Sequence, residues 1–266
     1  METAASSAYW TAALRAREAA RPDRLFADEF AADLAGERGR DLLWRKEQRQ
    51  GREDVLLAVR TRWFDDAVLA AVPASGAQVT ELGAGLDTRP CRVPLPAGTR
   101  TFELDQESVL LHKAGVLAGR AVPHGAVTDV AVDLAAGWAP ELLKAGFDPA
   151  WVTVWVAEGL LMYFSFRAGL GLLDTVTALS GEGCVLIFDT LARRVPPGSG
   201  AGGPEARFCP NDVGALLRDR GWAVRTQETV AAPARAYGPA AELTDVPPPT
   251  GVSYFLVVAA FGGHAG

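Results

Sequence analysis

The sequence has few of the residues that would place it in several common protein classes. Its three cysteines, Cys91, Cys184 and Cys209, are scattered along 266 residues; this odd set predicts free thiols in a reducing compartment and no metal site. No apolar run approaches the ~18 residues that a membrane-spanning helix requires. The first ten residues show neither a basic segment nor an apolar core, so we expect no secretory signal. These absences predict a cytoplasmic protein without a membrane partner.

Excess positive charge is also absent. The net charge is −6 and no basic block occurs, which argues against a nucleic-acid partner, because such a partner is bound through many phosphates. The composition is 49% hydrophobic and 22% charged, which is ordinary for a globular protein that buries a full core. Either a monomer or a homodimer is compatible with these values.

What the sequence does contain is a glycine-opened turn within residues 78–92, QVTELGAGLDTRPCR. A short β-type run, which includes Glu81, breaks at Gly83 and Gly85. Glycine at both positions permits a tight turn and leaves no side chain between the backbone and a ligand. In open α/β sheets, ligands bind at the carboxyl ends of strands, where the strand order changes direction. We therefore expect a cofactor at this turn, with a plain strand-to-helix turn as the alternative.

Two classes of cofactor compete for this turn. A dinucleotide site favours G-x-G-x-x-G/A and holds a pyrophosphate at a helix N-terminus. Here the third position is Thr88, and Asp87 before it would repel a phosphate. Further acids, Asp105, Asp133 and Glu158, end the next three strand-like runs. Such a set suits a cationic ligand that carries ribose and no phosphate, so we expect S-adenosylmethionine and disfavour a nicotinamide dehydrogenase.

Several segments resemble the leucine carboxyl methyltransferase-like family of class I methyltransferases. They are 81–92 (ELGAGLDTRPCR), 102–117 (FELDQESVLLHKAGVL), 130–134 (VAVDL) and 155–164 (WVAEGLLMYF). The bacterial branch of that family, which includes polyketide carboxyl O-methyltransferases of the tetracenomycin type, is also similar at 21–31 and 58–66. The resemblance covers most of the chain in order, and it implies O-methyl transfer from S-adenosylmethionine without a metal.

Hydrophobic periodicity predicts helices up to about residue 72, at Thr11–Ala20, 25–34 and 53–71. From Gln78 onward strands and helices alternate, which is typical of a parallel sheet with crossover helices. We expect strands near 78–83, 100–105, 126–134, 152–158, 184–190, 222–228 and 253–261, and helices near 89–93, 106–119, 138–146, 166–180 and 211–221.

The last of these strands follows Pro247, Pro248 and Pro249 too closely for a helical crossover, so it should run antiparallel to its predecessor. Together with the resemblance, this predicts an α/β fold: a Rossmann-like class I methyltransferase with a seven-stranded, mostly parallel sheet and one antiparallel strand. Residues 73–266 would form the core that binds the methyl donor. Residues 1–72 would form a helical N-terminal cover within one structural domain.

Acids at the second and third strand ends are expected to bind the nucleoside part of the donor. Asp105 lies about 20 residues after the glycine turn, where an acid accepts hydrogen bonds from ribose hydroxyls; a merely solvated carboxylate is the alternative. By resemblance, Asp133 and the backbone of Leu134 bracket the adenine. The alternative for Asp133 is a cap on the following turn.

Glu158 and Arg60 are expected at the amino-acid end of the donor. An unpaired carboxylate at the end of an apolar strand is expensive; by resemblance Glu158 lies near the donor's ammonium group, with a structural salt bridge as the alternative. By resemblance, Arg60 matches an arginine that binds the donor's carboxylate in eukaryotic relatives, a role that suits the planar guanidinium group. Arg62 is only two residues away, so which of the two arginines corresponds to it stays open. The alternative for both is a solvated surface arginine. The predicted cofactor-binding set is Arg60, Glu81, Gly83, Gly85, Asp105, Asp133, Leu134 and Glu158.

On the acceptor side, Met162, Tyr163 and Phe164 follow Glu158 directly and should line the mouth where the methyl group emerges. Tyr9 and Trp10 could cover that mouth as a lid, although core packing is the commoner role of such aromatic residues.

No general base is evident in the sequence. His112 and His124 are expected to be solvated, and Arg89 is expected only to neutralise Asp87. A carboxylate acceptor is already anionic and needs no base, whereas a phenol benefits from one. We therefore expect O-methylation of a carboxylate or hydroxyl on a small natural product, such as an aromatic polyketide. The alternatives are methylation of a protein C-terminal carboxylate and a non-methylating protein that uses the fold for binding or cyclisation.

Overall fold

A computed structural model describes residues 4–51, 56–120, 126–193, 207–237 and 252–262. In that part of the chain the strands form one seven-stranded sheet. They are β1 (Gln78–Leu82), β2 (Arg100–Asp105), β3 (Ala126–Ala131), β4 (Thr153–Ala157), β5 (Val185–Arg193), β6 (Trp222–Thr229) and β7 (Val252–Phe261). Their spatial order is β3-β2-β1-β4-β5-β7-β6.

Strands β1 to β5 pair in parallel, and β7 lies between β5 and β6, antiparallel to both. Every residue of β1 and β4 is buried, because parallel strands at the centre of a sheet are covered by helices on both faces. The predicted fold class, a mostly parallel seven-stranded sheet with a reversed last strand, is confirmed.

Nine helices accompany this sheet within the described ranges. They are α1 (Ala4–Ala19), α2 (Ala31–Gln50), α3 (Leu56–Ala71), α4 (Arg89–Arg92), α5 (Glu107–Leu117), α6 (Ala139–Lys144), α7 (Phe166–Ala178), α8 (Val213–Arg218) and α9 (Ala231–Ala236). A short 3-10 turn, Leu161–Tyr163, follows β4.

Two hydrophobic cores cover the two faces of the sheet. On one face, Leu142 of α6, Leu172 of α7 and Leu217 of α8 pack with sheet residues that include Phe102 and Trp155. On the other face, α3 and α9 pack against β1, β4 and β5. Helix α3 is thus part of the layer that covers the sheet. The division into a cover (1–72) and a core (73–266) stays a prediction.

Helices α1 and α2 pack together in a third hydrophobic cluster. This cluster also contains Leu86, in the loop after β1, and Val109 of α5. Both lie close to the glycine-opened turn, so the N-terminal helices are held against the carboxyl end of the sheet.

The helix predicted at 25–34 is wrong. Helix α2 begins at Ala31 and continues to Gln50, with one non-helical residue, Gly36 (φ 54°, ψ −162°). Asp28 marks the start, because its Oδ1 accepts from the backbone N–H groups of Phe30 (3.3 Å) and Ala31 (3.1 Å). The apolar periodicity of 25–34 therefore spans a loop and a helix start rather than one element.

Candidate active site

A cavity of about 440 Å³ opens at the carboxyl ends of β1 to β4. The strand order reverses between β1 and β4, which is where sheets of this kind bind ligands. All the site residues predicted from the sequence line this cavity: Arg60, Glu81, Gly83, Gly85, Asp105, Asp133, Leu134, Glu158, Met162 and Tyr163. Their location agrees with the expectation, and the role of each one stays a prediction.

The glycine turn requires glycine at its first position. Gly83 and Gly85 have positive φ angles of 69° and 56°, a region that other residues adopt with strain. A Cβ atom at Gly83 would also lie 2.7 Å from Cδ1 of Leu160. The backbone N–H of Gly83 donates to the carbonyl of Leu104 (2.8 Å), so the turn is fixed against the end of β2 while its backbone faces the cavity.

Asp105 and Asp133 are held by backbone groups. Asp105 accepts from the N–H of Gly85 through Oδ2 (2.7 Å) and from the N–H of Gln106 through Oδ1 (2.7 Å). Burial raises the pKa of Asp105, and these two donors oppose that shift. Asp133 accepts from the N–H of Ala135 (2.9 Å), so it caps the following turn as well as lining the cavity. Each carboxylate oxygen has further lone pairs for a ligand.

Glu158 is held by two arginines. Its Oε1 accepts from Nε of Arg60 (3.0 Å), and its Oε2 accepts from Nη2 of Arg89 (2.7 Å). The salt bridge considered as an alternative is therefore present, yet Glu158 keeps 14% of its side chain exposed and lines the cavity. A paired carboxylate of this kind can still accept a hydrogen bond from a ligand.

The structure separates the two candidate arginines of α3. Arg60 lines the cavity, where its Nη1 donates to the hydroxyl of Tyr254 (3.2 Å). Arg62 instead donates to Asp66 (3.0 Å) and to the carbonyl of Leu25 (2.8 Å). Of the two arginines that the resemblance left open, Arg60 is therefore the one that faces the cavity.

Arg89 contacts four carboxylates, a role that the sequence did not suggest. Its Nε donates to Asp65 (2.9 Å), its Nη1 to Glu81 (2.9 Å) and its Nη2 to Glu158 (2.7 Å), and Nη2 also lies 3.0 Å from Asp87. Only 1% of the Arg89 side chain is exposed. The expectation that Arg89 only neutralises Asp87 is wrong, because the fold brings acids from α3, β1 and β4 to the same guanidinium.

A second arginine completes this cluster from the side of α4. Arg92 donates to both oxygens of Asp65 (2.7 and 2.8 Å) and also to Asp87. Burial alone would raise the pKa of Asp87, but the charges of Arg89 and Arg92 hold it well below its ordinary value. Burial also raises the pKa of Glu81, and here the charge of Arg89 only opposes the shift.

A buried lysine pair extends the charged cluster across β2. Glu103 is the cross-strand neighbour of Glu81, and Nζ of Lys113 donates to Glu103 over 2.5 Å. Burial raises the pKa of Glu103 to about 7, while Lys113 opposes the shift. This pair lies beneath the cavity and is not among its lining residues.

Asp189 and Tyr254 also support the site and were missed. Oδ1 of Asp189 accepts from the N–H of Gly159 (2.7 Å), and its Oδ2 accepts from the hydroxyl of Tyr254. Asp189 is fully buried, and this burial raises its pKa. The signal was available, because Asp189 interrupts the apolar run of β5 in the way that Glu158 ends β4.

Of the two aromatic residues proposed as a lid, Trp10 lines the cavity. Tyr9 instead packs against His112 (5.0 Å between ring centroids) and under Arg38. His112 contacts the carbonyl of Leu34 (3.0 Å), and the part of the lining that the structure describes contains no histidine. His124 lies outside the described residues.

Among the described residues, no group of histidine, cysteine, aspartate and glutamate side chains is arranged to hold a metal ion. Within the same ranges, no helix has the length and apolarity needed to cross a membrane.

Comparison with known proteins gives a family match. The model of the leucine carboxyl methyltransferase family matches residues 8–177. A protein of Parafrankia sp. (strain EAN1pec), named as a candidate S-adenosyl-L-methionine-dependent methyltransferase, is 42% identical over 205 residues, which are 70% of this chain and 66% of the relative. A protein of Mycobacterium tuberculosis (strain ATCC 25177 / H37Ra) with a similar name is 43% identical over 196 residues, 68% and 63% of the two chains. The chain thus spans just under two thirds of these relatives.

Solved structures support the fold alone, because their sequence identity is low. The [4+2]-cyclase SpnF matches with a TM-score of 0.53 at 15% identity, over 78% of this chain and 82% of that one. The magnesium protoporphyrin IX methyltransferase of Synechocystis PCC 6803, solved with bound S-adenosylmethionine, matches with a TM-score of 0.50 at 13% identity, over 84% and 91%.

Proposed function

The chain belongs to the leucine carboxyl methyltransferase family, and from this premise we propose that it transfers a methyl group from S-adenosylmethionine to an oxygen of a small natural product. The observation that carries the proposal is the set of three cavity carboxylates, Asp105, Asp133 and Glu158, at the ends of β2, β3 and β4. They surround a glycine turn whose backbone is open to a ligand.

The charges of the cavity fit a cationic nucleoside better than a dinucleotide. Three arginines line the cavity, and each one is already ion-paired: Arg15 with Asp28 (3.1 Å), Arg60 with Glu158 (3.0 Å) and Arg89 with Glu81 (2.9 Å). A pyrophosphate would have to compete with these carboxylates for its counter-charge. The sulfonium and ammonium groups of S-adenosylmethionine would instead add positive charge beside acids.

The donor would lie along the cavity in one direction. Asp105 would accept from the ribose hydroxyls, and Asp133 with the backbone of Leu134 would bracket the adenine. The turn at Gly83 would approach the methionine part, whose ammonium group would donate to Glu158. Such contacts fix the distance and angle between donor and acceptor, which is the main task of the protein in an in-line displacement.

The acceptor oxygen is proposed to be anionic before the reaction. In the transfer, the sulfonium C–S bond breaks, an O–CH₃ bond forms, and S-adenosylhomocysteine leaves. The described part of the lining contains no histidine that could act as a general base for a neutral alcohol. A carboxylate or an acidic phenol requires no such base. Met162 and Tyr163 would line the part of the cavity that this acceptor enters.

The proposal is tested first by calorimetry with S-adenosylmethionine, S-adenosylhomocysteine and NAD. Binding of the two sulfur compounds and not of NAD is expected. The reverse pattern would establish a dehydrogenase site and end the proposal.

Transfer of a labelled methyl group then separates the remaining alternatives. Aromatic acids and phenols would be compared with peptides that carry a free or an amidated C-terminal carboxyl group. Methylation of a small acid or phenol is expected. Methylation of the free peptide alone would identify a protein carboxyl methyltransferase, and donor binding without transfer to any acceptor would favour a non-methylating role.

A further inference from the structure

Arg89 joins the acids on one side of the cavity into a single unit. Asp65, Glu81, Asp87 and Glu158 all lie within 3.0 Å of its three nitrogen atoms. These acids belong to α3, to β1, to the loop before α4 and to the end of β4. One side chain therefore fixes the relative positions of these four segments at the site.

The contacts leave Arg89 little capacity for a ligand. Its five N–H groups face four carboxylates, and 1% of its side chain is exposed. Glu158, which Arg89 holds through Oε2, has 14% of its side chain exposed. A ligand in the cavity can therefore reach Glu158 more readily than Arg89, so an effect of Arg89 on binding must pass through the acids that it holds, of which Glu158 and Asp87 are each 14% exposed.

We infer that Arg89 is a positioning residue for the amino-acid end of the methyl donor, and that it acts by holding the carboxylate of Glu158 toward the cavity. The inference rests on the proposed function, because it takes Glu158 as the partner of the donor's ammonium group. It assigns no contact between Arg89 and the donor itself.

The nucleoside end of the cavity is held differently. Asp105 is bonded to the N–H groups of Gly85 and Gln106, and Asp133 to the N–H of Ala135. In the described part of the chain, neither acid forms a hydrogen bond or an ion pair with Arg89. A change at Arg89 should therefore affect a ligand that has an amino-acid part and spare a ligand that consists of the nucleoside alone.

Two ligands make this difference measurable: S-adenosylhomocysteine, which has the amino-acid part, and 5′-methylthioadenosine, which lacks it. In Arg89→Lys, a point charge replaces the fork that binds several carboxylates. We expect the affinity for S-adenosylhomocysteine to fall by about tenfold or more, the loss expected for one misplaced charged hydrogen bond. The affinity for 5′-methylthioadenosine should change by less than about twofold, since no charged contact is lost.

Glu158→Gln tests the same contact between Arg89 and Glu158 by changing the acid. It also provides a test of the inference if the Arg89→Lys variant does not fold. It should reproduce the selective loss of S-adenosylhomocysteine. In the double variant the two losses should not add, because both changes remove one unit. Asp66→Asn is the matched control: it disturbs the ion pair of Asp66 with Arg62 on the same helix, outside the Arg89 cluster and outside the cavity lining, so it should leave the affinity ratio of the two ligands unchanged.

The possible outcomes separate the inference from the proposed function. If the wild-type protein binds neither nucleoside ligand, the proposed function is wrong. If the wild type binds both and Arg89→Lys weakens both equally, or neither, then Arg89 has only a structural role and the inference fails. Additive losses in the double variant would also overturn it, because Arg89 would then act independently of Glu158.

Discussion

The two sides of the cavity hold their acids in different ways. On the side proposed to bind the nucleoside, Asp105 and Asp133 accept from backbone N–H groups. On the side proposed to bind the amino-acid part, Glu81, Asp87 and Glu158 share one guanidinium, that of Arg89. The first side consists of separate contacts, and the second is a connected network.

The difference predicts where a mutation will have its effect. A backbone-held acid can be removed without leaving an uncompensated charge, so the loss should appear mainly in ligand binding. Removing one member of a buried network leaves its partners unpaired, and such changes are strongly destabilising. Mutations on the side proposed for the nucleoside should therefore lower mainly ligand affinity. Mutations on the side proposed for the amino-acid part should lower both the stability of the fold and ligand affinity.

The largest effect is expected for Asp65→Ala. Asp65 accepts from Arg89 and twice from Arg92, and it is not among the cavity-lining residues. Its loss leaves two buried guanidinium groups with reduced compensation, so the free energy of unfolding should fall by about 3–5 kcal/mol. Urea unfolding measures this value. A change below about 1 kcal/mol, the range of an exposed ion pair, would show that the cluster is not a connected network.

Asp105→Ala should have the next largest effect, on donor affinity rather than on stability. We expect binding of S-adenosylmethionine to weaken by about 1.5–3 kcal/mol, the range for hydrogen bonds to a charged group. Calorimetry measures the change, and Asp129→Ala, which removes an exposed acid from β3, serves as the control. Unchanged donor affinity in Asp105→Ala would remove this residue from the site.

The pair of Glu103 and Lys113 allows a test by pH. Burial raises the pKa of Glu103 from its ordinary 4.5 to about 7; the charge of Lys113 opposes this shift, and the nearby charges of Glu81 and Asp129 add to it. A raised folded-state pKa contributes stability that is complete below the unfolded pKa and is lost as pH rises through the folded one.

Relative to Glu103→Gln, the wild type should therefore lose about 2 kcal/mol of unfolding free energy between pH 5 and pH 7.5. Unfolding curves across this range measure the difference, with Glu107→Gln, an exposed acid at the start of α5, as the control. A difference that is constant with pH would contradict the raised pKa.

Gly83→Ala should produce the smallest effect, and it should affect ligand binding on both sides of the cavity. A residue other than glycine at φ 69° is strained by about 1–2 kcal/mol, and its Cβ would press on Leu160. We expect a moderate fall in Tm together with weaker binding of both nucleoside ligands. Gly171→Ala, on an exposed part of α7 with free space around it, should instead be neutral or slightly stabilising. Equal behaviour of the two variants would contradict a special role for the turn.

Much of the sheet could be predicted from the sequence because its signals are local. The apolar run of β4 and the glycine pair after β1 lie within a few residues, and the closeness of β7 to Pro249 was enough to predict its reversed direction. The family inferred from such segments is confirmed. The prediction of a helix at 25–34 was wrong because the apolar residues of this segment lie first in a loop and then at the start of α2.

The partners of the site residues were harder to predict, because they come from distant parts of the chain. Glu158 could be recognised as an acid that requires a partner, but the sequence does not show that Arg60 and Arg89 both supply one. Asp189 had a local signal, as an acid within an apolar run, but its pairing with Tyr254 had none, since 65 residues separate the two. Pairings of this kind depend on the order of strands in space, and a run of residues does not reveal it.

The place of β7 has a consequence for protein synthesis. Strand β6 can join the sheet only through β7, so when residues 222–229 leave the ribosome, the strand that links them to the rest has not yet been made. Tyr254 of β7 also supplies the hydroxyl that contacts Arg60 and Asp189 beneath the cavity. A nascent chain can therefore assemble β1 to β5 early, yet it completes its ligand site only after β7 has been synthesised.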